Sequence, residues 1–302
     1  MSGQGSASEA ARDGAPRHAL LGRQRRDDPT CAVVITTYNW PGALALALAA
    51  LSMQERLPDE VLVADDGSDA RTADLIARRA ASFPVPLHHV WHEDHGFRAG
   101  AIRNRAIERA TSEYIIQIDG DILLHPDAVR HHLASARRAT FVQGSRALLT
   151  ASLTRKLLDT SRFRVRPFER GVRHRLNAWY LPLLAPLASR TTNDPLSRVR
   201  GCHVAYWRDD VLRVNGYNEE MVGWGLEDSE FVARLQHASV ARRALKFSAV
   251  AWHLWHLERT RDAVPQNRTI YEATLASHAK WCDLGITSPT TEVATPPQSP
   301  AS

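Results

Sequence analysis

Three short apolar runs, each closed by a polar cluster, limit the folds open to this chain. Cys31–Thr36 (CAVVIT), Glu60–Ala64 (EVLVA) and Tyr114–Ile118 (YIIQI) are dominated by apolar, largely β-branched residues. None shows the strict alternation of a strand with one wet face. Such strands are buried on both sides, as a parallel sheet flanked by helices demands. Between them lie helix-favouring stretches at Ala43–Gln54, residues 70–82 and Arg98–Ala110, with a further strand at Leu87–Trp91. This order predicts an α/β fold: a doubly wound, mostly parallel sheet with helices on both faces. In sheets of that kind, ligands bind beyond the carboxyl ends of the strands. The first run ends in TTYN, the second in Asp65-Asp66-Gly67-Ser68, the third in Asp119-Gly120-Asp121. All three clusters are therefore expected on one edge, in one site.

The 302 residues are 44% hydrophobic and 24% charged, enough apolar material for one large domain. Residues 1–29 are rich in Gly, Ser, Ala, Arg and Asp and read as a disordered arm; residues 286–302, rich in Pro and Thr, read as a disordered tail. The domain is expected at 30–285, with a first half at 30–145, a basic mobile segment at 146–175 and a second half at 176–285. The most apolar stretches, Ala43–Leu51 and Trp179–Ala188, are too short to span a bilayer, which takes about 20 residues. The N-terminus lacks a signal-peptide pattern, so a cytoplasmic setting is expected. Cys31, Cys202 and Cys282 are scattered, which argues against zinc or a disulfide framework. The net charge of +5 suits an anionic partner: a nucleotide, a phospholipid headgroup or a nucleic acid.

The polar clusters have specific chemical uses. Asp119 and Asp121 flank a glycine at a strand end and can offer hard oxygen ligands to Mg²⁺ or Mn²⁺; the same tripeptide also makes plain turns and N-caps. His253 and His256 in WHLWH can converge on a metal, or sit as satisfied histidines in an aromatic core segment. Glu227 and Asp228, after Trp224-Gly225, fall at a helix start, where carboxylates are favoured by the dipole; either could also serve as a general base. Asp65 or Asp66 can bond a base or ribose, or only close an Asx turn. Arg98 can counter a phosphate. Residues 155–175 hold eight Lys or Arg against Asp159 and Glu169, with Phe163 and Phe168 interspersed.

In order and spacing these residues resemble glycosyltransferase family 2 with the GT-A fold, across roughly residues 31 to 275. The second half resembles the galactosyltransferase C-terminal region of β-1,4-galactosyltransferases and bacterial chondroitin-type polymerases. The resemblance implies a nucleotide-sugar-binding half and an acceptor-binding, catalytic half. It implies that Thr36, Tyr38, Asp65, Asp66, Arg98 and Asp119 bind the donor nucleotide, with a UDP-sugar as the expected donor. Asp121, His253 and His256 would hold Mn²⁺ or Mg²⁺. Trp224 and Glu227 would bind the acceptor and Asp228 would be the catalytic base of an inverting single displacement. The acceptor is expected to be a glycan, a lipid-linked glycan or a small molecule. Two positions depart from the family's GWGGEDDD pattern: Leu226 replaces its second glycine and Ser229 its third acid. The rival readings are a nucleotidyltransferase, which would want a glycine-rich basic loop where TTYNWPG stands, and a non-catalytic nucleotide-sugar-binding module. The basic segment is expected to touch an anionic membrane, at the inner face, or the acceptor rather than nucleic acid.

Overall fold

The computed structural model describes residues 28–194, 199–257, 260, 262–287 and 297. Nearly all of the expected N-terminal arm and C-terminal tail lie outside the described residues. The first half follows the predicted alternation. Strand β1 (Cys31–Thr37) leads to helix α1 (Pro41–Leu51), β2 (Glu60–Asp65), α2 (Ala70–Ala80), β3 (Leu87–Trp91), α3 (Ala99–Arg109) and β4 (Tyr114–Asp119). These four strands are parallel, in the order β3-β2-β1-β4. The chain adds β2 and β3 on one side of β1, then crosses to place β4 on the other. That reversal opens a crevice between the ends of β1 and β4, where Thr36 pairs with Asp119 and Thr37 with Asp65 of β2.

Both faces of this sheet are covered, as the unbroken apolar strands require. Cys31, Val33 and Ile35 point one way, against Leu44, Leu48 and Leu51 of α1; Ala32 and Val34 point the other, toward Ile102 and Ile107 of α3. Helix α1 is apolar nearly all round and mostly buried, which suits a helix packed between layers. Truncating Leu44 or Leu48, both fully buried, to alanine carries a cost of about 2–5 kcal/mol.

After β4 the chain makes β5 (Ile122–Leu124), α4 (Ala128–Ser135), β6 (Thr140–Gln143), β7 (Ser145–Leu149), α5 (Ala151–Asp159) and β8 (Val172–Arg173). Then come the short helix α6 (Ala185–Ala188), β9 (Arg190–Thr192), β10 (His203–Trp207), α7 (Arg208–Arg213), α8 (Glu227–His237), β11 (Ala241–Ala244), β12 (Val250–His253) and α9 (Val264–Ser277). The large sheet continues as β4-β10-β6-β11-β9, with β10 antiparallel to both its neighbours. A second sheet, β5-β12-β7-β8, stands beside it. Segment 146–175 has more regular structure than the sequence reading gave it. It contains most of β7, all of α5 and β8, and buries Leu153, Leu157, Val165 and Val172 in a third apolar cluster with Trp252 and Leu254.

Candidate active site

The site assembles where β1 and β4 end, because two later strands are paired beside it, β10 to β4 and β12 to β5. Strand β10 runs antiparallel to β4, so its first residues lie beside the last of β4: His203 pairs with Ile118, and the Asp119 N–H donates to the Cys202 carbonyl at 3.2 Å. Strand β12 is antiparallel to β5, with His253 opposite Ile122, and the Leu254 N–H donates to the Asp121 carbonyl at 3.0 Å. The chain between β4 and β5 is Asp119-Gly120-Asp121, so this register carries the WHLWH histidines to the second aspartate.

The outcome is a compact ligand set. Asp121 Oδ1 lies 3.6 Å from His253 Nε2, and Oδ2 lies 3.3 Å from His256 Nε2. One ligand atom from each of the three residues falls within 4.8 Å of the others. Burial, followed by the charge of Arg146, lowers the His253 pKa to about 4, so its ring is neutral near pH 7 and keeps a nitrogen lone pair. One carboxylate and two imidazoles in reach of a single point fit a first-row divalent ion such as Mn²⁺. His256 is the most exposed of the three.

Beside this set sits a buried cation that the sequence reading overlooked. Arg103 of α3 has a side chain only 5% exposed. Its guanidinium donates to Asp119 Oδ1, Asp228 Oδ1 and Thr36 Oγ1, each at 3.1 Å, and lies 5.3 Å from the centre of the Tyr217 ring. Burial works against its charge, but the carboxylates of Asp228 and Asp119 outweigh that and hold its pKa well above the ordinary value. There was a signal for it. Ala99, Ile102, Ala106 and Ile107 form the buried stripe of α3, and Arg103 is a cation inside that stripe.

Asp228 and Glu227 open α8, as expected. Asp228 Oδ2 accepts the Gly201 N–H at 3.0 Å, and its side chain remains 24% exposed toward the crevice. Burial raises its pKa, against the pull of Arg103. Glu227 is 7% exposed and accepts the Gly225 N–H at 2.9 Å; burial, and then repulsion from Asp228, raise its pKa to about 7. Gly201 was also missed. A methyl group there would lie 1.9 Å from Asp228 Oδ1, so only glycine leaves room for this carboxylate. Trp224 is half-buried in the turn 223–226, which Asn267 of α9 grips by donating to the Gly225 carbonyl at 2.9 Å.

The residues expected at the donor nucleotide divide into two groups. Thr36 and Asp119 face the crevice through Arg103, and Tyr38 donates its hydroxyl to Asp94 Oδ2 at 2.8 Å. Asp65 and Asp66 instead serve the loop itself. Asp65 is fully buried, accepting the Ser68 N–H at 2.9 Å and facing His89 Nε2 at 2.8 Å. Asp66 faces His92 Nε2 at 2.7 Å and accepts the Arg98 N–H at 3.0 Å. Arg98 thus contributes its backbone to Asp66, and its half-buried side chain forms no ion pair among the described residues.

Comparisons with known proteins give the family and the fold. The glycosyl transferase family 2 model matches residues 32–208, and a model described as the N-terminal domain of galactosyltransferase matches residues 185–257. Validoxylamine A glucosyltransferase of Streptomyces hygroscopicus subsp. limoneus is 28% identical over 267 residues, covering 84% of this chain and 56% of the relative. Chondroitin synthase of Escherichia coli is 26% identical over 244 residues, covering 74% of this chain and 34% of the relative. The chain thus spans about a third to just over half the length of these relatives. Among solved structures, S. aureus TarS residues 1–349 in complex with UDP superposes with a TM-score of 0.57 at 14% identity, covering 85% of this chain and 67% of that one. A mannosyltransferase from Pyrobaculum calidifontis, in complex with GDP-Man and Mn²⁺, superposes with a TM-score of 0.54 at 19% identity, covering 83% and 65%. The fold is GT-A, and the chain belongs to glycosyl transferase family 2.

Proposed function

We propose that this protein is an inverting, metal-dependent glycosyltransferase that moves a sugar from a UDP-sugar to an acceptor hydroxyl. The observation that carries this reading is the guanidinium of Arg103, which bonds Asp119 and Asp228 at once. It ties the strand end that faces a nucleotide diphosphate to the carboxylate that faces an acceptor. Asp121, His253 and His256 are the residues that would hold the ion. A divalent cation bound there would offset the negative charge growing on the departing nucleoside diphosphate. Asp228 takes the proton from the acceptor hydroxyl as that oxygen bonds to the anomeric carbon. The bond from that carbon to the diphosphate oxygen breaks, and its electron pair leaves with the nucleotide. One displacement inverts the anomeric centre, and Asp228 needs only its open edge to act.

In the same reading Tyr38 and Thr36 contact the nucleotide, while Asp65 and Asp66 act by shaping the loop that Arg98 follows. Trp224 offers a ring face to an acceptor sugar, and Glu227 sets the charge around Asp228. The acceptor in this reading is a glycan, a lipid-linked glycan or a small molecule; relatives are named for validoxylamine A and for chondroitin. Three buried, unbridged cysteines support a reducing, cytoplasmic setting.

A donor screen tests the proposal. The protein is incubated with Mn²⁺ and UDP-, GDP- and dTDP-sugars, and nucleotide release is followed with a panel of acceptors. Release from a UDP-sugar is expected, lost in Asp121→Ala and reduced about 10²–10⁴-fold in Asp228→Asn, the usual contribution of a general base. Unchanged turnover in Asp228→Asn, or release of pyrophosphate instead of UDP, would defeat it.

A further inference from the structure

Residues 155–190 form a surface that the proposed chemistry does not use. Segment 155–175 alone has six more basic than acidic residues, when the whole chain has a net charge of +5. Arg162 is paired with Glu169, but Arg155, Arg164, Arg166, Arg170 and Arg173 are exposed and make no ion pair among the described residues. The chain then runs through Trp179 into Leu181-Pro182-Leu183-Leu184-Ala185-Pro186-Leu187. In the sequence this stretch reads only as too short to span a bilayer. In the structure it extrudes its leucines: Leu183 is 92% exposed, Leu187 86%, Leu184 49% and Leu181 39%. Phe168 is 70% exposed, and its ring meets that of Trp179 with centroids 6.4 Å apart, which brings the basic and apolar parts together. No helix among the described residues is long and apolar enough to cross a membrane.

We propose that this face docks on an anionic lipid bilayer, with Leu183, Leu184, Leu187 and Phe168 entering the boundary between headgroups and acyl chains. Arg164, Arg166, Arg170 and Arg173 remain among the lipid phosphates, their methylene stems lying along the apolar contact. Three observations select this occupant. Contiguous, highly exposed leucines are costly in water and mark a contact surface. A second copy of the chain, meeting the first about a two-fold axis, would set one arginine cluster against another. A nucleic acid would use the cations but leave four leucines wet. Helix α5, which carries Arg155, also touches the proposed site from its buried side: Thr154 accepts the Trp255 N–H at 2.8 Å, one residue before His256.

Co-sedimentation with vesicles tests the docking. The 302-residue protein is mixed with vesicles of phosphatidylcholine alone, or with about one third phosphatidylglycerol, at low salt and at about 0.15 M salt. Binding is expected to the anionic vesicles and not the neutral ones. Leu183→Ser/Leu187→Ser, which keeps every charge, is expected to weaken it roughly tenfold or more with an unchanged melting temperature. The triple variant Arg164→Gln/Arg166→Gln/Arg170→Gln is expected to weaken it comparably and to remove its salt dependence. The proposal is overturned by absent binding to anionic vesicles, equal binding to neutral ones, or undiminished binding of the leucine variant. It is equally overturned if the wild type sediments as a dimer that the leucine variant dissociates. Should the leucine variant fail to fold, wild-type binding by the arginine triple variant overturns it instead.

Discussion

Arg103 is the residue on which the electrostatics of the crevice turn. With three hydrogen bonds and almost no exposure, it compensates two carboxylates that would otherwise face each other in a poorly solvated space. Removing one partner of such a buried network costs about 3–5 kcal/mol. The effect on rate has a definite sign. A base works only when ionised, so activity falls as pH drops through the pKa of the Asp228–Glu227 pair. Burial raises Asp228 and Arg103 opposes the rise, so Arg103→Met should move the acid limb of kcat/KM to higher pH. Glu227→Gln deletes the neighbouring negative charge and should move it to lower pH. If both variants shift the limb the same way, Asp228 is not the group being titrated. Gly201→Ala tests position in place of charge: with its methyl 1.9 Å from Asp228 Oδ1, the carboxylate must turn away. Transfer should drop about 10²-fold; full activity would mean that the acceptor proton goes elsewhere. Asp121, Asp228 and the two histidines were legible in the sequence because each stands in a short motif. Arg103 and Gly201 were not, because their meaning comes from partners 125 and 27 residues away.

Among the elements, the mostly apolar strands β1, β2 and β4 announced themselves, since a two-sided core leaves few polar positions in them, Glu60 and Gln117 being buried exceptions. Strands β5 and β12 did not, at three and four residues each; pairing across more than 100 residues sets them, and no local pattern does. Yet that pairing is what aligns His253 with Asp121. The start of α8 shows a second kind of signal. Leu226 departs from the glycine of the related pattern, and it has φ +72° at the N-cap of the helix. A side chain in the left-handed region costs on the order of 1 kcal/mol, and a β-branched one more. Denaturant titration should therefore find Leu226→Gly as stable as the wild type or about 1 kcal/mol more so, and Leu226→Val less stable by about 1–2 kcal/mol. A stabilised valine variant would show that the turn does not need this conformation.

At the scale of the molecule, the predicted sheet and its switch point are present, and the ligand set joins the first half to the end of the second. The carboxylate of Asp121 and the rings of His253 and His256 come together only in the folded chain, so an ion that binds them stabilises the fold. Mn²⁺ at about 100 times its Kd should add about 2.7 kcal/mol, a rise of roughly 5–10 °C in Tm for a domain of this size. His256→Ala should abolish the rise; an equal rise in that variant would put the ion at another site. Strand β10 has a further consequence for how such a chain can be recombined. It is stitched antiparallel into β4, and it delivers Gly201 to Asp228 while its neighbour Cys202 holds the backbone of Asp119. A chimera seeking a new acceptor by grafting the second half of a relative must cut inside this weave. Only a segment whose β10 matches this register will restore the Gly201 and Cys202 contacts to Asp228 and Asp119, so the weave is inherited by strand, not by half.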